Sequence, residues 1–290
     1  MVINGYCKDC QIRRNINKYP ATASADQIAD YQRGVRDIIA HCEGLSAPQV
    51  SEQMKALRCR HFGPSRDYTA VKQHFNGLML NLLPHMQQQV AAADDALRMA
   101  VQYSMVGNFI DFGVLDDVDE RELCAKLDAA RDIAIAPEML EAFREEVGKA
   151  RRLVLFTDNC GEIVTDKLLI SVLRDINPHL SVTVIVRGRP VVNDATLEDA
   201  RQVGMDEVAQ RVIGNGAGMP GNVIGAISSE AMDAIGKADV LVSKGQGNYE
   251  GLSGCGLNIF YLFLCKCDAF MQRFHVAQFT GVMTREAAEF

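Results

Sequence analysis

Near residue 150 the chain changes its hydrophobic period, and this constrains the fold more than any other feature. Before that point apolar residues recur at helical spacing. After it, short apolar runs alternate with helical patterns. The runs cover residues 153–156, 182–186, 212–213, 240–242 and 276–279. Continuous apolar runs this short suit strands buried on both faces, as in a parallel sheet. Helical patterns at 164–173, 196–203 and 229–235 separate them. Such alternation with short connections predicts α/β architecture: a Rossmann-like, doubly wound, mostly parallel sheet in the C-terminal half.

The first half reads as all helical and packs against that sheet. Residues 26–42 place Ile28, Tyr31, Val35, Ile38 and Ile39 on one face. Residues 67–90 give a second pattern, which Pro84 is expected to kink or end. Patterns at 93–106, 120–129 and 137–149 complete the set. The division is a helical region at 1–149 and a metal- and phosphate-binding α/β region at 150–290, with no obvious linker between them.

Composition narrows the function classes. The 290 residues are 48% apolar and 23% charged, enough for a sizeable core. Thirty basic against 37 acidic residues give a net charge of -7, which argues against nucleic-acid partners. The most apolar stretch, 257–265, is far shorter than the roughly 20 residues a membrane span needs, and reads as core. With no apolar leader among the first residues, a cytoplasmic location without a membrane partner is expected. Nine dispersed cysteines do not suit a disulfide scaffold, and only Cys7 and Cys10 have ligand-like spacing. They are candidates for a second metal, with Cys59 and His61 as conceivable partners; the alternative is a pair of inert thiols at a helix start.

In an open parallel sheet, ligands bind outside the carboxyl ends of the strands. The first strand here ends in Asp158-Asn159-Cys160-Gly161-Glu162, and the second in Arg187-Gly188, followed by Asn193-Asp194. A later strand ends in Ser243-Lys244-Gly245-Gln246-Gly247-Asn248-Tyr249-Glu250. Oxygen donors from Asp158, Asn159 and Asp194 favour a hard or borderline cation, Mg²⁺ or Mn²⁺. Lys244 would bring positive charge to a phosphate, and Gly245 and Gly247 would let backbone N–H groups approach it. Each feature also has a structural explanation. Asn159 and Glu162 fit a capping box, Asp194 could cap the helix beginning near Thr196, and Lys244-Gly245 could be a solvated turn. Gly216-Ala217-Gly218-Met219-Pro220-Gly221 matches G-x-G-x-x-G, but Pro220 stands where a nucleotide-binding helix should open.

Taken together these blocks resemble the damage-control phosphatase family, also called the ARMT-like metal-binding domain family. The resemblance is carried by Asp158-Asn159-x-Gly161-Glu162, by Arg187-Gly188 with Asn193-Asp194-Ala195-Thr196, by Gly214-Asn215-Gly216, and by Lys244 through Glu250. Cys7-x-x-Cys10, Gly107-Asn108-Phe109-Ile110-Asp111 and Cys265-Lys266-Cys267 resemble its cysteine-motif prokaryotic subfamily. Cys160, Gly214 and Gly63-Pro64-Ser65-Arg66 depart from the usual pattern, but none is a proposed metal ligand.

The resemblance implies a divalent-metal phosphatase for small phosphorylated metabolites, such as sugar phosphates, phosphopantetheine-like esters or damaged metabolites. Asp158, Asn159 and Asp194 would hold Mn²⁺ or Mg²⁺, with Co²⁺ and Ni²⁺ as further options. Asp158 and Lys244 would be catalytic. Lys244, Gly245, Asn248, Glu250, Arg187, Asn108 and Asp111 would line the phosphate side. Two roles stay open for Asp158: attack on phosphorus, or holding the cation while water attacks. Two other functions compete: an S-adenosylmethionine-dependent carboxyl methyltransferase using the 216–221 loop, and a non-catalytic metal or phosphometabolite binder.

Overall fold

The computed structural model describes residues 1–113 and 118–286. Its sheet contains β1 (Arg152–Phe156), β2 (Ser181–Val186), β3 (Arg211–Gly214), β4 (Val240–Lys244), β5 (Ile259–Leu264) and β6 (Gly281–Glu286). Their order is β3-β2-β1-β4-β5-β6, parallel except for the β5–β6 pair. After β3 the chain crosses back to place β4 on the other side of β1. The topological switch point therefore lies between the carboxyl ends of β1 and β4, where Phe156 pairs with Ser243.

Alternation along the strands sends side chains into two cores. Leu153, Leu155, Val182, Val184, Val240 and Val242 face one side. Val154, Phe156, Ile185, Leu241 and Tyr261 face the other. The helices of the first half lie on both faces. α1 (Gly5–Asn15), α2 (Ala25–Ala40) and α3 (Ala47–Phe62) cover the Phe156 face. α4 (Thr69–Ala92), α5 (Ala96–Gly107), α6 (Glu120–Asp128), α7 (Pro137–Lys149), α8 (Glu162–Ile176) and α9 (Leu197–Gln202) cover the Leu155 face. α10 (Ser229–Gly236), α11 (Gln246–Leu252) and α12 (Asp268–Phe274) complete the Phe156 face.

Two expectations change. Residues 276–279 form no strand; they are a turn in which Phe279 has φ 61°. Two strands lie outside the expected runs: β6, just beyond that turn, and β5, inside the stretch read only as core. In β5 the run 259–264 is unbroken. Its side chains are all buried, and each large one contributes about 1.5–3 kcal/mol relative to exposure. Asn258 just precedes it and bonds outside the run, to Glu146 and the carbonyl of Asp239. Pro84 also does not end its helix: α4 continues to Ala92. Proline removes one backbone donor there, while buried Met79, Met86 and Val90 anchor the helix on both sides.

Candidate active site

Two loops are zipped together at the carboxyl end of β1. Asn159 and Asp194 form an antiparallel bridge. Ala195 N–H donates to the Asp158 carbonyl at 2.7 Å, and Cys160 N–H donates to the Asn193 carbonyl at 2.8 Å. Backbone pairing thus brings residues 36 positions apart into one wall (158 and 194). Neither capping expectation holds in full. Glu162 does reach back to the Asn159 N–H at 3.1 Å, but the Asn159 side chain bonds Asp158 and Glu162 instead of capping. Thr196 with Asp199 makes the capping box of α9, so Asp194 is spared that task.

Arg187, at the end of β2, ties the two aspartates together. Its Nε donates to Asp194 Oδ2 at 2.6 Å and its NH2 to Asp158 Oδ1 at 3.2 Å. NH1 donates to Asn248 Oδ1 at 2.9 Å. Asn248, in α11, is fixed in turn through its Nδ2 to the carbonyls of Thr157 and Lys244. Arg187 is only 1% exposed, so its N–H groups serve the protein's own acceptors.

The helical half supplies the other wall. α5 ends against the start of α8 because Gly107 has no side chain; a Cβ there would meet Thr165 Oγ1 and stand 3.2 Å from Glu162 Cα. That approach places Asn108, whose Nδ2 donates to Asp158 Oδ2 at 3.1 Å and to Glu162 Oε2 at 2.9 Å. Asn193 holds the following segment, accepting from Phe112 N–H and donating to the Ile110 carbonyl. At its edge Asp111 accepts from Lys266 Nζ at 2.7 Å. Gly245 (φ +80°) brings the end of β4 directly onto Asp158; any Cβ would overlap the Asp158 carboxylate.

Lys244 has a different place from the one expected. Its side chain is fully buried, and its ammonium donates to Glu162 Oε1, Asp166 Oδ1 and the Ser104 carbonyl. Glu250 is not brought to the crevice. Two residues beyond Asn248, it is turned about 200° around α11, and its carboxylate accepts from Cys7 Sγ at 3.9 Å. Cys59 stands beside Ser65, and His61 packs on Tyr31 and Phe62, so neither is paired with Cys7. Among the described residues no three His, Cys, Asp or Glu side chains form a ready-made cage. Cys7 and Cys10 therefore gain no assembled ligand set. The Asp158–Asn159–Asp194 group offers two carboxylates and a carboxamide rather than three acids.

Burial dominates the electrostatics. It pushes Asp158 well above the usual carboxylate range, helped by Asp194 and Glu162 and opposed by Arg187. Burial likewise raises Asp194 against the pull of Arg187. Asp166 is pushed up to about 6 by burial, with Lys244 opposing. Burial acts on Glu162 too, but Lys244 and Lys266 outweigh it and hold Glu162 below its ordinary value. Glu162 was legible in the sequence as a cap and as the end of the block that carries the resemblance, and Asp166 only as a helix position. The one available signal was their i,i+4 spacing opposite a strand-end lysine.

The loop at 216–221 does not open a helix, since α10 begins only at Ser229. The phosphate cradle at a helix N-terminus that a dinucleotide motif relies on is therefore absent there.

The chain is similar to known proteins over most of its length. A damage-control phosphatase of Archaeoglobus fulgidus is 35% identical over 208 residues, 71% of each chain. A damage-control phosphatase of Pyrococcus horikoshii is 36% identical over 173 residues, covering 59% of this chain and 58% of its own. A crystal structure of a DUF89-family protein of Pyrococcus horikoshii superposes with TM-score 0.80 at 25% identity, covering 98% of this chain and 99% of that one. The family model of the damage-control phosphatase ARMT1-like domain matches residues 5–282. That match runs through every element that builds the crevice, and the chain belongs to the damage-control phosphatase ARMT1-like family.

Proposed function

We propose that the crevice between β1 and β4 holds one divalent cation and hydrolyses phosphoesters of small metabolites. The observation that carries this reading is charge. Four buried carboxylates, Asp158, Glu162, Asp166 and Asp194, meet two buried cations, Arg187 and Lys244, so the fully ionised cluster carries two excess negative charges. The nearby Lys266–Asp111 and Lys72–Asp199 pairs are each internally balanced. Two uncompensated charges away from water are costly, and a divalent cation matches them in number.

The donors suit that ion. Carboxylate and carboxamide oxygens without thiolate or imidazole favour Mg²⁺ or Mn²⁺, with Co²⁺ and Ni²⁺ accepted by the same set. Asp158, Asp194 and Asn159 would hold it. Once bound, it would neutralise the charge that develops on phosphoryl oxygens. Arg187 keeps the two aspartates at a fixed spacing, and Asn248 keeps Arg187 in place. Asn108 restrains Asp158 from the helical side. Both Asp158 oxygens already accept hydrogen bonds, which weakens them as nucleophiles. This favours Asp158 as a holder, with water attacking.

Family membership supports phosphatase chemistry on small phosphorylated, including damaged, metabolites. The test is phosphate release from sugar phosphates and phosphopantetheine, each with Mn²⁺, Mg²⁺, Co²⁺ or Ni²⁺. Release that depends on added cation and disappears in Asp158→Asn is expected. No turnover with any cation would leave only a binding protein. Rapid quench with labelled ester separates the two roles of Asp158, because hydroxylamine-sensitive label on the protein would mark it as the attacking group.

A further inference from the structure

We propose that Lys244 is a positioning residue: it holds Glu162, and Glu162 orients the carboxamides of Asn159 and Asn108 beside Asp158. The proposal rests on the crevice being a cation site, and adds how the chain presents its ligands there.

An ammonium has three donors, and those of Lys244 are all engaged. They reach Glu162 Oε1 at 2.7 Å, Asp166 Oδ1 at 2.8 Å and the Ser104 carbonyl at 2.8 Å. Ser104 Oγ also donates to Asp166 Oδ1 at 3.0 Å, which fixes the far side of the cluster. A direct phosphate contact would break one of these bonds and strip a buried carboxylate of its counter-charge. Asp166 Oδ2 is already buried without a partner, so the cluster has little to spare.

Glu162 divides its two oxygens between two tasks. Oε1 faces Lys244, while Oε2 accepts from Asn159 N–H, Asn159 Nδ2 and Asn108 Nδ2 at 3.1, 2.9 and 2.9 Å. Asn159 Nδ2 also donates to Asp158 Oδ2 at 2.9 Å. With its nitrogen held by two carboxylates, the Asn159 amide has only its oxygen to offer a cation. By accepting from both carboxamides, Glu162 Oε2 selects this orientation, and the bond from Lys244 to Oε1 holds Glu162 in place. Outer partners of metal ligands typically change metal affinity by roughly 10–100-fold when removed.

Two measurements on the full chain test this: Mn²⁺ affinity by electron paramagnetic resonance, and inhibition by inorganic phosphate at saturating Mn²⁺. The variants are Glu162→Gln, Lys244→Met/Asp166→Asn, which preserves the net charge of the cluster, and the triple combination. Mn²⁺ binding should weaken roughly 10–100-fold in the first two, with phosphate inhibition unchanged. The triple variant should be no weaker than Glu162→Gln alone, because the lysine acts through the glutamate. Wild-type Mn²⁺ affinity with phosphate inhibition weakened tenfold or more would overturn the proposal and make Lys244 a phosphate contact. Glu162→Gln conserves side-chain volume, so wild-type Mn²⁺ affinity in that variant alone would also overturn it. A wild-type protein that binds no Mn²⁺ would instead sink the cation reading itself.

Discussion

Asp158 is defined by the groups that share its carboxylate. Arg187 takes one oxygen, and Asn108 and Asn159 take the other. Removing the charge should separate function from fold. Asp158→Asn and Asp194→Asn should each lower cation-dependent phosphate release by at least about 100-fold, since both would be direct ligands rather than outer partners. Circular dichroism should still report the wild-type fold, and unchanged release in either variant would contradict the assignment. The residues most legible in the sequence were those at strand ends: Asp158, Asn159, Asp194, Arg187 and Asn248 converge as their positions implied. Lys244 and Glu250 were harder, because spacing cannot say which way a side chain turns after a strand. Lys244 points toward α8, and Glu250 toward α1.

At the scale of elements, the crevice depends on close backbone approaches. The end of β4 touches Asp158 only because residue 245 is glycine. Gly245→Ala would combine a Cβ overlap with a left-handed φ of +80°, so about 1–3 kcal/mol of destabilisation is expected in urea melts, with loss of activity. Wild-type stability there would contradict the described approach. Asn193 is a second joint, linking the 107–113 segment to the loop after β2 through Phe112 and Ile110. Asn193→Ala should cost about 1–3 kcal/mol by leaving buried backbone groups unpaired, and an unchanged denaturation midpoint would count against that role. Four of the five expected strands were legible because short apolar runs between helical patterns mark the strands of an α/β sheet. β5 was hidden because an unbroken apolar run looks the same in a strand as in any other core segment. That the first three helices cover the opposite face from the next four was not readable, since amphipathicity shows a buried face but not its partner.

For the whole molecule, four acids raised by burial make stability depend on pH: Glu250 beside α1, pushed up to about 7, and three in the crevice, which link it to cations as well. Asp158, Asp194 and Asp166 all have folded-state values above those of the unfolded chain, Asp166 at about 6. The folded protein therefore holds more protons than the unfolded one in this window. Their contribution is full below the ordinary carboxylate range and is lost as pH rises through each raised folded-state value, which for Asp166 is about 6. Glu162, shifted down, has the opposite sign at lower pH. Cation binding needs Asp158 and Asp194 ionised, so Mn²⁺ should raise the Tm more at pH 7 than at pH 4.5. Equal shifts at both values would contradict the link between the buried charge and the ion. Among the described residues no helix is long and apolar enough to cross a membrane.

The proposed single cation, held by Asp158, Asn159 and Asp194 and required for phosphoester hydrolysis, can be followed by titrating chelator-treated protein with Mn²⁺ while recording occupancy and phosphate release together. One ion per chain is expected, with release that rises in proportion to its occupancy and loss of both in Asp158→Asn/Asp194→Asn. Full phosphate release before any Mn²⁺ is added, or an intact Mn²⁺ site in the double variant, would contradict it.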